Sequence, residues 1–117
     1  MPYEKEYRHT FSHPVGDVSQ SARHCVTFMG GKVLKEDQGA GLLHAQMDKK
    51  LFGEYLGDRS KLEMQITSVN DNETEIYVFA YPLNAVGQKL MFGARDGVVE
   101  TMTAAFFEQV EKHLTGK

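Results

Sequence analysis

Cysteine and tryptophan are almost missing from this sequence: Cys25 is its one cysteine, and it has no tryptophan. A single cysteine excludes an intramolecular disulfide and any Cys-x-x-Cys redox or metal motif. A domain built without disulfides is typical of a reducing compartment. The first residues are charged from Glu4 onward and lack the apolar stretch of a secretory signal peptide. We therefore expect a cytoplasmic protein.

Long hydrophobic runs and blocks of like charge are also missing. No segment approaches the roughly 20 consecutive apolar residues that span a bilayer, so no membrane partner is predicted. The 13 basic and 16 acidic side chains are interspersed and give a formal charge of −3. Because proteins bind duplex nucleic acid through basic patches that neutralise phosphates, this pattern disfavours duplex nucleic acid as a partner.

The overall composition is that of an ordinary globular domain. The 117 residues are 41% hydrophobic and 25% charged, well away from disordered or fibrous compositions. A chain of this length has the common size of one folding unit. Since the sequence has no internal repeat and no low-complexity stretch, it predicts a single domain over residues 1–117.

Two helices are predicted, one near each end of the chain. Residues 15–29 place apolar side chains at spacings of three and four, which forms one stripe on a helix. Ser12 offers a capping hydroxyl before this helix, and Pro14 suits its first turn. The glycines at 30–31 favour its end. Residues 98–114 keep the same helical spacing and predict the second helix.

Alternating apolar and polar residues predict strands between and before the helices. The predicted strands are residues 3–11, 32–38, 42–48, 59–69 and 74–81. A short glycine-containing connection at 39–41 joins two of them in a hairpin. Residues 49–58 are predicted to form an apolar loop that folds back onto the core. Residues 86–92 are predicted to form a short sixth strand, with a long loop as the alternative.

The strand at 74–81 has apolar residues on both faces, so its core face depends on the preceding turn. A four-residue turn at 70–73 would put an aromatic set on the core face and leave a β-branched set on the outer face. The aromatic set is Tyr77, Phe79 and Tyr81, and the β-branched set is Ile76 and Val78. One bulged residue in the turn would exchange the two sets.

The predicted order of elements is β-α-β-β-β-β-(β)-α, which is an α+β class. Strands joined by short turns form an antiparallel sheet, here of five or six strands. Each helix has one apolar stripe to bury, so both are expected on one face of that sheet. This order resembles that of TATA-binding-protein-like and helix-grip domains. The resemblance lies in the order of elements alone and implies a fold without implying a function.

Metal and nucleophile chemistry are not favoured by the spacing of the candidate residues. His9 and His13 straddle a strand end, so a chelate would need a third ligand such as His44 from another strand. Cys25 lies on the apolar stripe of the first helix, and the adjacent His24 points about 100° away from it. We therefore predict no metal site and a buried, structural cysteine.

The favoured functional hypothesis is a small, non-enzymatic binding or interaction module. If Ile76 and Val78 lie on the outer sheet face, a second copy of the chain could cover them and remove apolar surface from water. The alternative is a carrier of a small apolar ligand, held in a cavity between the last helix and the sheet. The residues predicted to line that cavity are Met64, Phe79, Tyr81, Met102 and Phe106.

A further alternative is an enzyme that holds an anionic substrate in the segment before the last helix. Lys89 and Arg95 lie in this glycine-rich segment, and the N-terminus of a helix favours anions. The glycine patterns of phosphate-binding and dinucleotide-binding loops are absent from it. No catalytic residue and no cofactor is therefore predicted.

Overall fold

The computed structural model describes residues 3–116 and consists of seven strands and two helices within that range. The strands are β1 (Lys5–Phe11), β2 (Lys32–Asp37), β3 (Leu42–Met47), β4 (Lys50–Leu51), β5 (Glu54–Tyr55), β6 (Arg59–Asn70) and β7 (Glu73–Leu83). The helices are α1 (Val15–Phe28) and α2 (Val98–Thr115). The α+β class and the position of both helices were predicted from the sequence and are confirmed.

The main sheet has five antiparallel strands in the order β1-β7-β6-β3-β2. Because β1 and β2 lie at opposite edges, α1 connects them by crossing one face of the sheet. α2 packs on the same face, against β1, β7 and β6. Between helices and sheet lies one continuous core, in which Phe11, Leu62 and Phe106 are fully buried.

The turn between β6 and β7 contains the bulge that decides which face of β7 is buried. The register shifts between Ser68 and Asn70, so that Ile76 pairs with Ile66 and Val78 with Met64. Ile76 and Val78 are 0% exposed. Their predicted place on an exposed outer face is wrong, because the extra residue at Val69 exchanged the two faces. No dimer interface can be built on these two side chains.

The same bulge places the aromatic side chains of β7 on the outer face. Phe79 and Tyr81 alternate with the core residues Val78 and Ala80 along the strand. A cavity lined jointly by Phe79, Tyr81 and the core residues is therefore not possible, because a strand separates their faces. The prediction that Phe79 and Tyr81 line a cavity together with core residues is therefore wrong.

α1 begins and ends close to the predicted positions, but without the predicted cap. Its N-cap residue is Pro14, and no side chain of the described residues caps it, so the predicted role of Ser12 is wrong. Gly30 takes the left-handed conformation (φ 87°) that ends the helix, and the N–H of Gly31 donates to the carbonyl of Val26.

Two connecting segments differ from their predicted form. Residues 86–92 form no strand, since the ladder there is limited to one bridge between Leu83 and Lys89. Residues 49–58 contain the small hairpin of β4 and β5. Leu51 packs against the core as predicted, whereas Phe52 is exposed at the hairpin tip. Neither helix within residues 3–116 is long and apolar enough to cross a membrane.

Candidate ligand site at the start of the second helix

A cavity of about 220 Å³ lies where the first turn of α2 meets the start of β1 and the end of β7. It is called the helix-start cavity below. Its lining is Tyr3, Lys5, Pro82, Ala94, Arg95, Asp96, Gly97, Val99 and Glu100. The loop of residues 84–97 forms one wall of the cavity, and β1, β7 and α2 form the other.

The N-terminus of α2 contributes uncapped backbone donors to this cavity. Gly97 is the N-cap residue, with a φ of 78°, and no side chain among the described residues caps the helix. The first intrahelical bond runs from the N–H of Thr101 to the carbonyl of Gly97, at 2.9 Å. The preceding N–H groups have no partner within the helix and favour an acceptor or an anion. Asp96 lies one residue before the N-cap position and does not cap the helix.

Charged side chains at the cavity are mixed in sign. Lys5 pairs with Glu100 at 3.6 Å, and about half of each side chain remains exposed. Arg95 also lines the cavity, and its backbone N–H donates to Oδ2 of Asp58 at 2.9 Å. The geometry therefore offers positive groups to a ligand without forming a strongly basic pocket.

Three buried hydroxyl groups have no hydrogen-bond partner within residues 3–116, on residues that neighbour the lining of this cavity without being part of it. They belong to Tyr7, Ser60 and Thr103. Ser60 is 0% exposed and Thr103 is 1% exposed. A buried hydroxyl without a partner costs about 1–3 kcal/mol, so such groups are uncommon in stable cores.

The hydroxyls of Tyr7 and Thr103 belong to facing positions of β1 and α2. Glu100, three residues before Thr103, contacts Lys5. Phe107, four residues after Thr103, stacks on the ring of His9 with centroids 5.4 Å apart. Tyr7 lies between Lys5 and His9 on the same strand face, so it faces the helix at the level of Thr103. Burial and the nearby Glu100 carboxylate raise the pKa of Tyr7.

Ser60 reaches the same end of the core from β6. It pairs across the ladder with Pro82, which lines the helix-start cavity. Its strand alternates buried and half-buried residues, and Ser60 belongs to the buried set with Leu62 and Met64. The three hydroxyls therefore lie on β1, β6 and α2, each on a residue that neighbours the cavity lining along the strand, across the ladder or along the helix.

Deeper between α2 and the sheet, the interior is filled by side chains. Met64 is 1% exposed, and Met102 and Phe106 are 0% exposed. These residues were predicted to line a cavity, and the structure brings them together in the core.

Lys89 and Arg95, the two predicted anion-binding residues, lie apart. Lys89 is on the outer sheet face, ion-paired with Glu4, and its Nζ lies 4.7 Å from the ring centroid of Tyr81. Arg95 lies over Gly57, where an added Cβ would come within 2.0 Å of the arginine Cδ. The predicted joint site for one anion is therefore wrong, because the loop sends the two side chains to different places.

The outer face around Tyr81 is held by polar contacts. The Tyr81 hydroxyl donates to Oε2 of Glu63 at 2.8 Å. Burial, followed by the Glu63 carboxylate, raises the pKa of Tyr81 well above its usual range. Phe79 packs edge-on against Tyr81, with ring centroids 5.8 Å apart.

A second cavity, of about 310 Å³, lies on the other side of the 84–97 loop and is called the loop cleft. Its lining is Lys49, Gly57, Asp58, Arg59, Leu83, Asn84, Ala85, Leu90 and Gly93. Residues 84–90 are tied down by bonds such as Leu90 N–H to the Pro82 carbonyl. For residues 91–96, the one hydrogen bond among the described residues is from the backbone N–H of Arg95 to Asp58. The loop is thus weakly held where it separates the two cavities.

A histidine pair lies at the junction of the two helices. The rings of His24 and His113 stack with centroids 4.4 Å apart. The Ser21 hydroxyl donates to the Val110 carbonyl, and its Oγ lies within hydrogen-bond distance of Nδ1 of His113, at 2.9 Å. Cys25 is 1% exposed, and burial raises the pKa of its thiol. Within the described part of the chain, no three His, Cys, Asp or Glu residues are grouped to hold a metal ion.

The hydroxyl groups were not identified from the sequence, although a signal for each was present. Thr103 falls on the apolar stripe of the last helix, between Val99 and Phe106 in helical spacing. Ser60 lies on the apolar face of its strand by simple alternation. A polar residue at a predicted core position is the signal that marks such a group.

Comparisons with known proteins place the fold. Neither a protein-family model nor a curated protein sequence matches the chain. Ara h 8.0201 superposes with a TM-score of 0.69 over 100% of both chains, at 9% identity. Norcoclaurine synthase from Thalictrum flavum, in complex with a transition-state analogue, gives 0.53 over 97% of this chain and 96% of its own, at 11% identity.

A third neighbour is the di-domain aromatase/cyclase StfQ of the steffimycin biosynthetic pathway. It superposes with a TM-score of 0.57 at 13% identity, over 93% of this chain and 45% of StfQ. At these identities the likeness establishes the fold alone. The chain has a helix-grip fold, in which an antiparallel sheet packs against a long C-terminal helix.

Proposed function

We propose that this chain binds a small, largely apolar molecule that carries a hydrogen-bonding group, with that group directed into the helix-start cavity. The observation that carries the proposal is the set of three buried hydroxyls without partners, on Tyr7, Ser60 and Thr103, each of which neighbours a lining residue of this cavity: Lys5, Pro82 and Glu100 respectively. Ligand sites are typically apolar cavities with a few convergent polar groups.

The energetics of the hydroxyls support a ligand. Each unpartnered hydroxyl costs about 1–3 kcal/mol, against a total stability of roughly 5–15 kcal/mol for a domain. Binding of a polar group to Ser60 or Thr103 would recover part of that free energy.

The chemistry of the cavity favours a carboxylic acid with a compact apolar body. Free N–H groups at the start of α2 and the ammonium of Lys5 favour a carboxylate. The apolar side chains of Pro82, Ala94 and Val99 in the lining favour an apolar body. At about 220 Å³ the cavity is smaller than the ~300–1,000 Å³ of drug-sized sites, so the ligand is small or displaces the weakly held residues 91–94.

The structural neighbours are consistent with this use of the fold. StfQ is an aromatase/cyclase, and the norcoclaurine synthase structure contains a transition-state analogue. These facts concern those proteins. They support a search for small-molecule ligands of this one.

The test is a thermal-shift and calorimetric screen with benzoate, cinnamate, indole-3-acetate and octanoate. We expect at least one of these acids to raise the melting temperature, and Thr103→Val to weaken its binding roughly tenfold, the value of one well-made hydrogen bond to a charged group. Thr101→Val is the matched control, since Thr101 is an exposed threonine on the same helix. If no acid binds, or if both variants bind equally well, the proposed site is wrong.

A further inference from the structure

Exposed apolar side chains are concentrated at one end of the molecule. Nine large hydrophobic residues are exposed among those described, and six of them lie in the end of α1, the β4–β5 hairpin and the 84–97 loop. These six are Phe28, Phe52, Tyr55, Val86, Met91 and Phe92. We call this set the apolar tip. Surface hydrophobics clustered in this way mark interaction sites.

The three segments of the apolar tip adjoin one another. The rings of Phe28 and Phe52 are 5.9 Å apart, which joins the helix end to the hairpin. The base of the hairpin and the 84–97 loop border the loop cleft together. Phe92, at 85% exposed, is the most exposed of the six. The tip therefore consists of neighbouring protrusions and not of one flat face.

Phe52 occupies a position in the hairpin that is unfavourable for its side chain. It has a φ of 50°, and Gly53, which follows it, has a φ of 88°. A two-residue hairpin loop with positive φ at both positions is a type I′ turn, which favours Asn-Gly. Phe52 is the one non-glycine residue with positive φ among those described. An exposed phenylalanine kept at a strained position indicates a use for the side chain outside the fold.

The charge of this end differs from that of the rest of the chain. Residues 28–32, 48–59 and 84–97 contain six basic and four acidic side chains, whereas the remainder contains seven basic and twelve acidic. Lys49 and Lys50 immediately precede Phe52 in the hairpin. The three segments that form the apolar tip are thus net basic, whereas the rest of the chain is net acidic.

We propose that the apolar tip docks onto an anionic lipid membrane, with Phe52 and Phe92 inserted among the headgroups. Aromatic and apolar side chains on protruding loops suit the membrane interface, and flanking lysines add attraction to anionic lipid. The net negative charge of the remaining surface orients the molecule with this end toward the bilayer. Such peripheral docking needs no spanning segment and does not depend on the ligand site proposed above.

The test uses the full chain and vesicles of phosphatidylcholine alone or mixed with phosphatidylserine. We expect cosedimentation with the mixed vesicles and little with phosphatidylcholine alone. Phe52→Asn and Phe92→Ser should each weaken binding roughly tenfold, and Lys49→Gln and Lys50→Gln about fivefold each. Val69→Ser and Lys112→Gln are matched controls away from the tip and should bind normally.

Melting temperatures and tryptophan fluorescence distinguish a loss of vesicle binding from a loss of folding. Phe52→Asn relieves the turn, so it should melt at the wild-type temperature or higher while losing vesicle binding. Because the chain has no tryptophan, Phe92→Trp and Val69→Trp each supply a single reporter. The emission maximum of the Phe92→Trp variant should shift to the blue on mixed vesicles, and that of the Val69→Trp variant should not.

Three results would overturn the proposal. One is the absence of binding to anionic vesicles, and another is equal loss of binding in the Val69→Ser control. The third is a stable dimer in solution that Phe52→Asn and Phe92→Ser dissociate, because the apolar tip would then be covered by a second copy.

Discussion

Replacing Thr103 by valine tests whether the Thr103 hydroxyl lacks a hydrogen-bond partner. Valine has nearly the shape of threonine and a similar helix propensity, so the change removes the hydroxyl and little else. Thr103 is 1% exposed and its Oγ1 has no partner within residues 3–116. Removing an unpartnered buried hydroxyl should therefore stabilise the ligand-free protein.

The expected gain in stability follows from the free-energy cost of burying the Thr103 hydroxyl without a hydrogen-bond partner. At the low end of about 1–3 kcal/mol per unsatisfied hydroxyl, Thr103→Val adds about 1 kcal/mol to the free energy of unfolding. For a domain of this length that raises the melting temperature by about 4 °C. Thr101→Val, on the exposed side of the same helix, should change the free energy of unfolding by less than about 0.5 kcal/mol.

Urea unfolding followed by circular dichroism, together with calorimetry, gives both quantities. A loss of stability in Thr103→Val, with Thr101→Val unchanged, would mean that the Thr103 hydroxyl makes a stabilising hydrogen bond. The reasoning that places a ligand beside it would then fail. A gain in stability combined with weaker ligand binding is the outcome that distinguishes a binding group from a misplaced core residue.

Three further predictions concern the scaffold. Gly41→Ala should lower the free energy of unfolding by at least about 2 kcal/mol in urea titrations. Gly41 has a φ of 70°, and a Cβ there would lie 2.2 Å from the Ile66 carbonyl oxygen. The control Gly16→Ala, in an open helical position, should be neutral or stabilising. The Cys25 thiol should resist Ellman's reagent in the native protein and react after unfolding, and rapid native labelling would contradict its burial. Arg23 lowers the pKa of Glu36 through a two-point ion pair, with Nε–Oε1 at 3.0 Å, so Glu36→Gln should cost about 0.2–1 kcal/mol near neutral pH. That difference should vanish as the pH falls through the folded-state pKa of Glu36, below its ordinary 4.5, and a difference that persists in acid would show that charge is not its source.

The helices and most strands could be predicted because their signals are local. Spacings of three and four place Val18, Ala22, Cys25 and Val26 on one stripe, and that stripe is the buried face of α1. Glycine at position 30 marked its end for the same local reason. Patterns that depend on a few neighbouring residues are specified by the sequence directly.

The face of β7 could not be decided because it depends on one residue in a turn. Both faces of the strand are apolar enough to be buried, so hydrophobic pattern does not fix the register. The turn is held by the N–H of Asn72 donating to Oδ1 of Asn70, and Val69 is the bulged residue before it. The choice between Ile76 and Tyr77 for the core follows from this local geometry.

The candidate site could be predicted only in part, because it is assembled from distant elements. Arg95 was identified from its position before α2, but its contact with Gly57 depends on the path of the loop. Lys89 follows the same loop to the opposite face and meets Glu4. Neither contact has a signature in a single sequence, since each joins segments far apart in the chain.

The most direct test of the account is amide chemical-shift mapping by NMR, with the four carboxylic acids titrated into isotope-labelled protein. The account predicts saturable shifts that cluster around residues 5–7, at Ser60 and over residues 95–103, and that need roughly tenfold more acid to saturate in Thr103→Val. Shifts confined to the groove between the two helices, or no saturable shifts with any acid, would contradict it.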